Sequence, residues 1–122
     1  MSKEPLPARP ASTILLLRER GGIEVFMMVR HYQIEFASGA LVFPGGSVDA
    51  GDQDIVGMTE LYDNRQGFDP AALKFRIAAI RETFEESGIL LARPRGADTI
   101  ISADRAEAIS QAHRAACLMA SP

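Results

Sequence analysis

A stretch between Asp69 and Gly88 constrains this chain more than any other, because both of its ends carry helix signals and its two sides carry opposite chemistry. Asp69-Pro70 is an N-cap followed by proline at the first helical position, where a missing N–H costs nothing. Gly88 is a fitting C-terminal stop. At about 100° per residue, Glu85 and Glu86 fall within about 60° of Glu82 on either side. Leu73, Ile77, Ile80 and Phe84 gather roughly opposite, so one face predicts a core and the other holds three carboxylates. Ala78 and Ala79, one turn earlier, flank the acidic face with small side chains that leave room above it.

The carboxylate cluster is locally unfavourable. Glu82 and Glu86 form a like-charge i,i+4 pair that costs ~0.2–0.5 kcal/mol. All three sit near the helix C-terminus, where the macrodipole prefers cations. Arg81 can reach Glu85 at i+4 and relieves part of this repulsion. A local rule broken in this way points to a functional site. A hard divalent cation is the simplest compensation, and oxygen donors beside a substrate phosphate suit Mg²⁺. The plain alternative is a solvated acidic face, which predicts no cation-dependent stabilisation.

The rest of the chain supplies strands and a second helix. Apolar runs at Ser12 to Arg18 and Ile23 to Arg30 flank Glu19-Arg20-Gly21-Gly22, the pattern of a β-hairpin. Neither run alternates cleanly, which predicts strands covered on both faces. His31 to Gly39 reads as a loop. Ala40 to Phe43 reads as a short strand that Pro44-Gly45-Gly46 ends. Between Ser47 and Gly67, the residues Gly51, Asp52, Asp54 and Gly57 argue against one regular element, with a short helical piece at about Ile55 to Tyr62. Ile89 to Ala92 reads as another strand, and Pro94 to Asp98 as a loop. Ser102 can cap an Ala-rich helix from Ala103 to about Met119. Residues 1–11, with Pro5, Pro7 and Pro10, form a loose or polyproline-like arm without a signal-peptide core.

Composition narrows the function classes. The 122 residues are room for one domain. Thirteen basic against sixteen acidic side chains give a net charge of −3 and no basic run, which excludes an ordinary nucleic-acid binder. The apolar runs are far shorter than the ~20 residues a membrane helix needs. A lone Cys117 excludes a disulfide framework or multi-Cys zinc site and reads as a small packing residue. His113 reads as an exposed residue without a partner. No terminal Ser-Lys-Leu signal is present, so the default compartment is the cytoplasm.

Two features taken together resemble a known family. Phe36-Ala-Ser-Gly-Ala-Leu-Val-Phe-Pro-Gly-Gly46 precedes the helix, and Arg81, Glu82, Glu85, Glu86, Gly88 and Ile89 close it. With Gly46 as the first glycine, these residues resemble the Nudix hydrolase box, G-x5-E-x7-R-E-U-x-E-E-x-G-U, where U is bulky and apolar. The resemblance covers roughly Ser12 to Ala92. Three positions depart from it. Asp52 stands where the box has its first Glu, Thr83 where a larger apolar residue is usual, and 28 residues (Gln53 to Ile80) replace the x7 spacer. Extra loop length of this kind is tolerated thermodynamically. The expanded box looks like the branch of peroxisomal-type coenzyme A diphosphatases and their bacterial relatives.

The resemblance implies an α/β fold, an α/β/α sandwich around a mixed sheet. After the arm at 1–11, residues 12–122 would be the N-terminal portion of a Nudix domain, its box split across 46–89 by an insertion at about 53–70. Further strands and a helix normally follow the box, so the resemblance predicts a domain incomplete at its C-terminus. A sheet edge or core face would then be uncovered, and a later catalytic base absent. Glu82, Glu85 and Glu86 would be the Mg²⁺ or Mn²⁺ ligands, with the Gly45 carbonyl a further one. Glu85, Glu86, Arg81 and Asp52 would be the catalytic set, with Arg81 orienting Glu85 or Asp52. Arg30, His31 and Gly46 would touch substrate. The implied reaction is hydrolysis of a nucleoside diphosphate linked to another moiety, coenzyme A or acyl-CoA, by water attack on phosphorus. ADP-ribose or a nucleotide sugar is the competing substrate. A non-catalytic Nudix-like binding module, or an inert truncated piece, is the competing class. The partners implied are a small-molecule diphosphate and a second copy in a homodimer, with no nucleic acid and no membrane.

Overall fold

The computed structural model describes residues 4–29 and 39–120, with side chains to residue 113. The predicted substrate contacts Arg30 and His31, most of the predicted 31–39 loop, and the Cys117 side chain lie outside what is described. The chain divides into two compact units, Met1–Ala79 and Ile80–Pro122.

The first unit contains three antiparallel strand pairs. β1 (Ala11–Thr13) pairs with β6 (Gly45–Ser47), β2 (Leu17–Glu19) with β3 (Ile23–Val25), and β4 (Met28–Val29) with β5 (Leu41–Val42). The predicted hairpin is present as β2–β3, with Gly21 at φ 70 in its turn. However, the run from Ser12 to Arg18 does not form one strand of it. The run changes partner at Leu15: Ile14 N–H donates to the Pro44 carbonyl, and Phe26 N–H donates to Leu16. Each half pairs with the chain that lies beside it.

Two expectations about these strands are corrected. The short strand β5 does end before Pro44, but Gly45 and Gly46 do not close it as a turn, because β6 follows Pro44 directly with a different partner. At that position the ladder needs only the proline carbonyl, which accepts from Ile14 at 3.0 Å. The strands are also not covered on both faces among the described residues. Leu17 is 62% exposed and Ile23 77%. In the β2–β3 register, Leu17, Val25 and Ile23 share one face, and Arg18 meets Glu24 across the other at 3.0 Å. The parallel pair that a mixed sheet also needs is not among the described strands.

Gly45 is a glycine for a local reason. A Cβ there would sit 2.9 Å from Thr13 Cα and closer still to the Ser12 carbonyl oxygen, so only glycine lets β1 and β6 approach this closely. The arm also ends earlier than residue 11. Ala11 already belongs to β1, and Val48 N–H donates to the Pro10 carbonyl.

The region from Ser47 to Gly67 is more regular than the residues suggest. A helix, α1 (Ala50–Val56), runs through Gly51, Asp52 and Asp54, and a 3₁₀ turn follows at Thr59–Leu61. The cause is a capping box built from two aspartates. Asp49 is the N-cap, and its N–H donates to Asp52 Oδ2 at 2.8 Å. The expected piece at Ile55 to Tyr62 takes in the end of α1 and the 3₁₀ turn, but it misses the start of α1 at Ala50. Tyr62 Oη donates to the Val56 carbonyl at 2.6 Å and closes the end of this segment.

The long helix α2 (Pro70–Ser87) agrees with its predicted bounds. Asp69 Oδ1 accepts from Ala72 N–H at 2.8 Å, and Gly88 at φ 76 donates to the Phe84 carbonyl. Ser12 Oγ donates to the Phe75 carbonyl at 2.6 Å and ties β1 to the first half of this helix. Of the predicted core stripe, Leu73 is buried, Ile77 and Phe84 are half-buried, and Ile80 is 37% exposed. Ala78 and Thr83 are fully buried instead. Ala78 therefore does not leave open room beside the acidic face, because a small side chain lets neighbouring chain close over it.

In the second unit, residues 89–92 form no strand. Ile101 N–H donates to the Ala92 carbonyl as a single link. The last helix, α3 (Ala103–Ala120), starts where Ser102 predicted it, with Arg105 N–H donating to Ser102 Oγ at 3.3 Å. Among the described residues no helix is long and apolar enough to cross a membrane.

Candidate active site on the acidic turn

The last turns of α2 bring together the residues that the sequence singled out. Arg81 Nη1 lies 3.0 Å from Glu82 Oε1 and 3.1 Å from Glu85 Oε2. One guanidinium thus bridges two of the three carboxylates, which is how the helix relieves the repulsion built into its sequence. The Glu82 side chain is 17% exposed and that of Glu85 49%. Glu86 also lies on the exposed side. Ser87 Oγ donates to the Thr83 carbonyl at 2.6 Å and accepts from Ile89 N–H, so the turn ends in a tight polar cap.

An open groove of about 350 Å³ lies against this turn, within the second unit. Glu85, Glu86 and Gly88 line it from α2, and Glu107, Ser110 and His113 from α3. The sequence reading missed these α3 residues. His113 is exposed as expected, but it stands in the groove and has an interaction of its own, so it is not the partnerless residue expected. The available signal was spacing. With the helix phased from Ser102, positions 107, 110 and 113 recur every three residues and make one stripe.

The residues as placed do not fit a metal ion. All three are hard oxygen donors of the right type. Yet among the described residues no three His, Cys, Asp or Glu side chains converge on one point. Glu82, Glu85 and Glu86 therefore do not form such a group as they stand. The Arg81 guanidinium instead holds one oxygen of Glu82 and one of Glu85.

Other predicted site residues have local roles in the first unit. Asp52 is 1% exposed, and its Oδ2 accepts from Asp49 N–H, so its carboxylate is built into the capping box. Gly45 and Gly46 lie in β6, opposite Thr13 and Ser12. Hydrogen bonds at Ile14–Pro44 and Val48–Pro10 make Ser12–Gly46 the bonded pair of this ladder. The Gly45 carbonyl therefore points to the edge of β6 away from β1.

Comparison with known proteins bears on this arrangement. No protein-family model matches the chain. An acyl-coenzyme A diphosphatase of Xenopus laevis is 32% identical to it, over 58% of this chain and 26% of that protein. A crystal structure of a Nudix hydrolase from Alicyclobacillus acidocaldarius matches with a TM-score of 0.59 and 26% identity, over 86% of this chain and 50% of that one. In sequence and in fold the chain is thus related to Nudix hydrolases. It is distantly related to a coenzyme A diphosphatase, and its fold is an α/β fold related to that of Nudix hydrolases. It spans about a quarter of the length of the Xenopus protein and half of the bacterial structure.

Proposed function

We propose that this chain carries the acidic turn of a Nudix-type hydrolase acting on a diphosphate-linked nucleotide, with coenzyme A or an acyl derivative as the leading substrate. The observation that carries this reading is the Arg81–Glu82–Glu85 bridge on the last turns of α2, beside a groove. The bridge collects acidic oxygens that the helix alone would keep apart. Likeness to the Xenopus acyl-coenzyme A diphosphatase supports the substrate class. Arg81 is the positioning residue, and Glu85 and Glu86 are the groups that face the groove. Mg²⁺ or Mn²⁺ is the cofactor of this reading, and Glu82, Glu85 and Glu86 would have to turn toward one point to hold it.

The test is a panel of coenzyme A, ADP-ribose and nucleotide sugars with product analysis, in the presence and absence of Mg²⁺. Glu85→Gln or Glu86→Gln should keep the fold and lower turnover by ~10²-fold or more, a few kcal/mol of transition-state stabilisation. Equal rates in variant and wild type would refute the assignment. A second reading is a non-catalytic nucleotide-binding module, which needs the groove but not a gathered set of carboxylates. Calorimetric binding of coenzyme A with no product released would decide for it.

A further inference from the structure

Outside the acidic turn, one cation stands on a built platform. Asn64 clamps the backbone of Phe68 from both sides. Its Nδ2 donates to the Phe68 carbonyl and its Oδ1 accepts from Phe68 N–H, each at 2.9 Å. Gly67, at φ 74, makes the bend between them and donates to the Asn64 carbonyl at 3.0 Å. The ring held in this way carries the Arg76 guanidinium 3.6 Å from its centroid. Arg76 is exposed, and among the described residues it forms no ion pair. On its N-terminal side, Asp69 has Oδ1 engaged by Ala72 N–H, and the first turn of α2 holds no acid; on its C-terminal side, Glu82 is engaged by Arg81.

A guanidinium laid flat on a ring keeps its N–H edge directed outward. It also loses less freedom on binding than a loose side chain does. That edge is a planar fork, which matches two phosphate oxygens at once. The polar clamp at Asn64 fixes the backbone from which the ring projects, and so sets where the ring and the fork stacked on it stand. We infer that Arg76, presented by Phe68, is a binding site for a phosphate group of a small molecule. The site lies outside the residues given the hydrolytic role and requires no turnover.

The test is titration calorimetry of the full chain with inorganic pyrophosphate and inorganic phosphate, in EDTA at low salt. Without a metal, the acidic turn repels either anion, so the result is independent of whether the protein hydrolyses anything. Wild type should bind pyrophosphate saturably at one site. Arg76→Ala should weaken binding by about tenfold or more, the loss of a charge-assisted contact. Arg76→Lys should not restore it, because an ammonium lacks the fork. Phe68→Leu, with the charge intact, should weaken binding by a smaller factor. Binding of phosphate as tight as that of pyrophosphate would assign a monoester site, and tighter pyrophosphate a diphosphate site. No saturable binding by wild type, equal affinity in Arg76→Ala, or full rescue by lysine overturns the inference.

Discussion

The segment from Asp49 to Asp69 and the strand pairs of the same unit are both made of very short elements, yet they are held by different forces. The segment closes on itself through polar groups. Asp52 caps α1, Tyr62 bonds the Val56 carbonyl, Asn64 clamps Phe68, and Asp69 caps α2. The strand pairs run for two or three residues, and much of their apolar surface is open. Polar closure is complete as soon as donor meets acceptor, whereas apolar strands contribute only when area is removed from water. An inserted loop can therefore be better determined than the strands around it. A two-stranded hairpin alone is marginal in water.

The largest expected effect is at the one strict contact among the strands. Gly45→Ala should cost about 2–3 kcal/mol in urea unfolding, because the added methyl meets the β1 backbone. A neutral result would show that the β1–β6 pairing is loose and would widen the contrast between the regions. Next is the polar clamp. Asn64→Ala should cost about 1–3 kcal/mol, since it leaves the Phe68 N–H and carbonyl unpaired.

A similar loss is expected at the aspartate box. Asp52→Ala should cost about 1–2 kcal/mol, the worth of a cap. Amide exchange reads the same contrast without mutation. The amides of α1 beyond its first turn should exchange about tenfold or more slowly than those of Arg18 and Glu24, following local stability. The reverse order would break the comparison outright. The smallest effect belongs to the exposed Arg18–Glu24 pair. A double-mutant cycle there should give about 0.2–1 kcal/mol and should vanish in about 1 M salt.

How much of this was legible beforehand follows the range of each interaction. The ends of α2 could be read from Asp69-Pro70 and Gly88, and the start of α3 from Ser102, because caps act within four residues. The hairpin turn was readable from Gly21 and Gly22. α1 was missed because its box uses Asp at both positions and Gly51 obscures the helix. The division of Ser12 to Arg18 between two partners was not legible. Nothing inside that run says that Ile14 meets Pro44 while Leu16 meets Phe26. The clamp on Phe68 and the α3 side of the groove were also overlooked, although Asn64-x-x-Gly67 and the 107, 110, 113 spacing were open to view.

At the candidate site, local sequence placed Arg81, Glu82, Glu85 and Glu86 on adjoining turns, since helix geometry alone dictates which side chains can meet. It gave the Arg81–Glu85 contact, but it could not say that Arg81 would also take an oxygen of Glu82, or that Ala78 and Thr83 would be buried while Ile80 stayed exposed. Those outcomes depend on which distant segments come to lie beside the helix. Caps and helical phase are settled by atoms a turn apart, whereas burial and ion-pair choice are settled by what the rest of the chain leaves in contact with water.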